Sequence, residues 1–112
     1  MVVVYLSKAL ICVAGACSPA LVGAQTPTTQ SVLVERVMQP QTYGPSVMQF
    51  HEDGSGVYAI HVAHNAHRRS LLGQPSNRRI NITNGCVNVS KETYDAIKSL
   101  AESSQVEIEV VP

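Results

Sequence analysis

The sequence predicts a mainly β fold carrying one helix, and three segments predict it. Val106-Glu107-Ile108-Glu109-Val110 alternates strictly between apolar and charged side chains, the period-two pattern of a half-exposed strand. Val57-Tyr58-Ala59-Ile60-His61-Val62 is mostly apolar and follows the turn Asp53-Gly54-Ser55-Gly56, as a central strand leaving a hairpin would. Lys91–Ser103 places Tyr94, Ile97, Leu100 and Ala101 on one helical face, so the helix should pack on a sheet. Ser90 is its expected N-cap, with Glu92 in the first turn to complement the helix dipole.

The remaining elements follow in chain order. Gln25–Gln30 is polar and Thr/Pro-rich, a leader into the fold. Ser31–Met38 alternates imperfectly and reads as a strand, which Pro40 to Pro45 with Gly44 then breaks. Val47–Phe50 is a short second strand, and Val57–Val62 the third. His64 to Asn81 is polar and basic, long enough for a functional loop or a short helix.

Composition bounds the function. A length of 112 residues predicts one domain, and 45 % apolar content excludes a disordered chain. Eight basic residues balance eight acidic ones, and there is no Trp and a single Phe, so no nucleic-acid partner is expected. Residues 1–24 read as a secretory signal: Lys8 supplies charge, Ala9–Ala16 an apolar stretch, and Val22-Gly23-Ala24 small residues for cleavage before Gln25. Ser18 and Pro19 make the segment too interrupted for a stable membrane span. The competing reading makes Val2–Leu6 a first strand and Ala9–Val13 its partner.

On the signal reading Cys12 and Cys17 depart, and residues 25–112 keep a single thiol, Cys86. A lone thiol in an oxidising compartment is either a small buried hydrophobe or a reactive group. Its context, Thr83-Asn84-Gly85-Cys86-Val87-Asn88-Val89, favours the second. A glycine before the cysteine permits a tight turn and brings the Gly85 and Cys86 amides near the sulfur, where they could bind an oxyanion. A nucleophilic cysteine also needs a base, and His61, His64 and His67 lie upstream. Structural zinc sites usually draw on paired cysteines, so no metal is expected.

These residues resemble the catalytic domain of bacterial L,D-transpeptidases. Tyr58-Ala59-Ile60-His61 is similar to the strand that delivers the family's histidine, and Thr83–Asn88 to its cysteine signature. Arg68-Arg69 and Arg78-Arg79-Ile80 resemble a subgroup with an arginine-rich loop, and Thr26-Pro27-Thr28 resembles the Thr-Pro motif ahead of the central strands. The resemblance covers roughly residues 26–112. It implies a small β-sandwich, lacking some N-terminal strands if residues 1–24 are removed. It further implies an exported, periplasmic or cell-envelope enzyme that acylates itself on peptidoglycan stem peptides, with no cofactor. In that reading Cys86 is the nucleophile, His61 the base with His67 in reserve, and the Gly85 and Cys86 amides the oxyanion donors. Arg68, Arg69 and Arg79 would bind stem-peptide carboxylates, and Asn88 would join the substrate-binding group while fixing the loop behind the nucleophile. Because Val62 follows His61, the imidazole's orienting partner should be a backbone carbonyl.

Overall fold

The computed structural model describes residues 1–39 and 42–112, so the part of the expected break at Pro40 lies outside the described residues. The fold is mainly β, with two sheets and one long helix. The first sheet contains β1 (Val2–Tyr5), β2 (Leu10–Val13), β3 (Ala16–Pro19), β4 (Thr29–Val32) and β9 (Glu107–Val111), in the order β3-β2-β1-β9-β4. Pairing is antiparallel throughout except between β1 and β9. The β2–β3 hairpin turns on Ala14 and Gly15, both at positive φ (50° and 88°). That is the pattern of the primed turns whose twist suits a two-residue hairpin.

In the full chain the segment read as a signal supplies three strands of this sheet, the arrangement of the competing strand reading. Val2 and Val4 are fully buried in β1, an interior strand, and Ile11 and Val13 continue the same core. The segments read as a departing leader and as a fold boundary at residue 24 belong to one sheet with Glu107–Val111. Cys12 and Cys17, expected to leave, sit directly opposite each other across the hairpin and form a disulfide. An apolar run serves a leader and an interior strand such as β1 equally well, so hydropathy alone does not separate them.

The second sheet has the order β5-β6-β7-β8, from Val34–Val37, Ser46–Asp53, Gly56–Val62 and Val87–Val89. Ser31–Met38, expected as one strand, is two strands in different sheets. Leu33 is the crossing point: it is buried, and its N–H donates to the Val106 carbonyl at 2.9 Å. That turn slips the phase of the alternation, which is why the period-two pattern was imperfect. Between β7 and β8 lies α1 (Ala66–Leu71), the short helix allowed for in the polar loop. The second helix, α2, runs Lys91–Ser103 as expected, and Ser90 Oγ accepts from the Thr93 N–H at 3.2 Å. Its Tyr94 and Ile97 join side chains of both sheets in one core. Among the described residues, no helix is long and apolar enough to cross a membrane.

Candidate active site

Strand register brings the site together. β7 and β8 are parallel neighbours, with His61 opposite Asn88, and Cys86 immediately precedes β8. Two clefts meet at these residues. One, of about 350 Å³, is walled by apolar groups including Met38, Tyr43, Val57 and Ala59, with Arg36 and Gln49 at its polar margin. The other, of about 240 Å³, is more polar and adds His64, Arg68, Thr83 and Asn84. Tyr43, Val57, His61 and Cys86 belong to both.

The turn before Cys86 is shaped by sterics. Gly85 has φ +129°, and a Cβ there would lie 2.5 Å from Tyr58 Cε1. Only glycine holds that conformation against the ring without strain. Thr83 ties the turn: its hydroxyl donates to the Cys86 carbonyl at 2.6 Å and accepts from the Gly85 N–H at 3.1 Å. This corrects one sequence expectation. The Gly85 amide is spent inside the turn and is not available to an oxyanion, so Gly85 contributes shape. The N-terminal segment buttresses the same turn, because the Ile82 and Thr83 amides donate to the Val22 carbonyl. Gly23 sits so close to Thr83 that a Cβ would overlap its carbonyl.

His61 is 3 % exposed, and both ring nitrogens have partners. Nδ1 lies 2.9 Å from the Val62 carbonyl and Nε2 lies 3.2 Å from Asn88 Nδ2. A carbonyl can only accept, so Nδ1 carries the proton and Nε2 the lone pair, which accepts from the Asn88 amide. The Val62 carbonyl is thus the orienting group expected for an imidazole followed by valine. Tyr43 stacks on the ring at 4.6 Å, and His64 meets Tyr43 edge-on at 5.2 Å. Burial pushes His61 below the ordinary histidine pKa; the Val62 bond opposes this, and the charges of His64 and Arg68 add to it. His64 is lowered too, first by desolvation and then by Arg68. The lowered pKa favours the neutral imidazole of His61 near pH 7.

The other expected residues divide. Cys86, half-buried, and His61 share the clefts, whereas His67 lines neither. Arg68 lines the polar cleft and donates to Asn88 Oδ1 at 2.8 Å. Arg69 is exposed and lines neither cleft. Arg79 is buried and donates to the carbonyls of Lys8, Ala9 and Gln74, a clamp on the turn between β1 and β2. Its role is structural. Asn88 is fully buried with both carboxamide atoms engaged, by Arg68 and by His61.

Sequence reasoning missed Tyr43 and Arg36, and it quoted Thr83 within the cysteine motif without giving it a role. Tyr43 had a usable signal, being an aromatic side chain stranded in a Pro/Gly-rich break where no core position explains it. Among the described residues, no three His, Cys, Asp or Glu side chains gather as a metal site. Neither a family model, a curated protein nor a solved structure matches the chain.

Proposed function

We propose that the chain is a cysteine acyltransferase of the L,D-transpeptidase type, acting on peptidoglycan stem peptides in the cell envelope. The observation that carries this reading is the convergence of Cys86 and a buried, neutral His61 on two clefts. The cysteine signature of Thr83–Asn88 supplies the substrate class by resemblance. The Cys12–Cys17 disulfide supports an oxidising compartment.

In the proposed reaction His61 Nε2 exchanges Asn88 for the Cys86 thiol and takes its proton. The thiolate attacks the stem-peptide carbonyl carbon, and a C–S bond forms. The Cys86 amide faces the oxyanion, the Gly85 amide being already bonded. Collapse breaks the C–N bond, and the departing D-alanine amine carries off the proton held by His61. An acceptor amine then gives its proton to Nε2 and attacks the thioester; the C–S bond breaks and the proton returns to sulfur. Water in place of the amine gives carboxypeptidase activity. Arg68 and Arg36, one at each cleft, are the cations near enough to meet substrate carboxylates.

One observation favours a second reading, a catalytically degenerate peptidoglycan-binding module of the same fold. The lone pair of His61 is held by Asn88, and the Cys86 thiol makes no hydrogen bond among the described residues. Intact mass spectrometry after incubation of the full chain with a carbapenem separates the two, with Cys86→Ala as control. A stoichiometric adduct on the parent alone is the expected result. A folded parent that stays unmodified, yet is retained by peptidoglycan, sinks the enzyme in favour of the binding module.

A further inference from the structure

Behind the base runs a polar chain, Arg68–Asn88–His61, that the reaction above uses only at its last link. Arg68 comes from the first turn of α1, where the Asn65 side chain caps the helix by accepting from the Arg68 N–H at 2.7 Å. Asn88 comes from β8 and His61 from β7. We infer that Arg68 is a positioning residue for His61, acting through the Asn88 carboxamide to fix which ring nitrogen carries the lone pair. The inference deepens the acyltransferase reading and rests on it.

The geometry forces one assignment. A guanidinium only donates, so the group 2.8 Å from Arg68 Nη1 must be the Asn88 oxygen. The carboxamide has two ways to sit, nearly identical in shape, and this contact selects one of them. Its NH₂ then faces His61 at 3.2 Å and donates, leaving Nε2 as acceptor. The Val62 carbonyl completes the lock by requiring a proton on Nδ1.

Without the cation only the Val62 carbonyl, acting through the ring, still favours that carboxamide orientation, and the second lock is lost. A flipped Asn88 would present its oxygen to Nε2, draw the proton there, and leave the Nδ1 lone pair facing the Val62 carbonyl. Such a ring has no lone pair at Nε2 with which to accept the thiol proton. Arg68 also stands near enough for its charge to disfavour the imidazolium. The polar loop between β7 and β8 thus delivers a cation to the far side of the base, a role separate from contact with substrate.

Long-range ¹H–¹⁵N correlation spectra of the labelled full chain above pH 7 read the tautomer directly, with His61 assigned by its loss in His61→Gln. The parent should show Nδ1 protonated and Nε2 bare. Arg68→Ala should move both nitrogens toward the averaged values of a mixed tautomer, and slow Cys86 alkylation by iodoacetamide. Arg68→Lys, which still donates to Oδ1, should restore the parent spectrum. Asn88→Asp, which can only accept from the ring, should move the proton to Nε2 and provides the test if Arg68→Ala does not fold. A parent with Nε2 protonated, or an Arg68→Ala spectrum superimposable on the parent's, overturns the inference. A carbapenem adduct beside an unchanged Arg68→Ala spectrum sinks this inference alone. No adduct on a parent with the stated tautomer sinks the acyltransferase reading alone.

Discussion

Gly85 shows how much one residue decides in this molecule. Its positive φ and its approach to the Tyr58 ring each exclude a side chain, and both act on the turn that presents Cys86. Gly85→Ala is expected to destabilise the fold by about 1–3 kcal/mol, the cost of a strained backbone conformation. It should also displace the thiol, so carbapenem acylation should fall by more than the loss of folded protein explains. Chemical denaturation beside adduct kinetics on the folded fraction checks this, and a variant with parental stability and rate would refute it. At this scale the meeting of Cys86 and His61 at one cleft was legible, because Gly-Cys and an upstream histidine at a strand end are local patterns. The roles of Arg79 and Asn88 were not. Arg79 reaches carbonyls some seventy positions away, at Lys8 and Ala9, and no local pattern encodes such a contact. The Gly85 amide was assigned to an oxyanion because a free donor and one bonded to Thr83 Oγ1 look alike in sequence.

Among the elements, those with a strict period were legible and those without one were not. The helix α2 was read to its observed bounds, Lys91–Ser103, because cap, dipole complement and apolar face agree. The strand β8 has three residues, too few to show a period, and was missed. The largest misreading, of β1 to β3 as a leader, leads to a sharp prediction. A chain beginning at Gln25 loses β1, β2 and β3, with the buried Val2, Val4, Ile11 and Val13, and strips Arg79 of its acceptors at Lys8 and Ala9. It leaves β9 without its parallel neighbour. Burying each such side chain contributes about 1.5–3 kcal/mol against a net stability of about 5–15 kcal/mol for a domain, so the loss exceeds what the fold can absorb. The shortened chain is expected to show no cooperative thermal transition by circular dichroism. A cooperative melt at the parent's temperature would restore the leader reading.

At the scale of the whole molecule, charge is balanced and mostly superficial, and this isolates the effect of one buried group. The exposed pairs Lys91–Asp95 and Lys98–Glu35 sit in solvent, where such pairs contribute little. His61, by contrast, is buried on β7 beside Asn88 of β8, with its pKa held below the ordinary value of 6.5 chiefly by burial. The unfolded chain therefore binds a proton at this position more readily than the folded one. By linkage, stability rises with pH wherever the unfolded state holds more protons. The His61 contribution is thus fully present above about pH 6.5 and declines as pH falls below it toward the depressed folded value. His64 is shifted in the same sense but is exposed, and adds to the same slope more weakly. Protonation of His61 would also place a second donor against the Asn88 amide, breaking the chain that runs to Arg68. Thermal melts between pH 5 and 8 should show the parent losing stability on the acid side. His61→Gln, which keeps a polar side chain there but cannot titrate, should start less stable and show a shallower slope. Equal slopes would mean that the acid sensitivity arises elsewhere and that burial of His61 carries no measurable protonation cost.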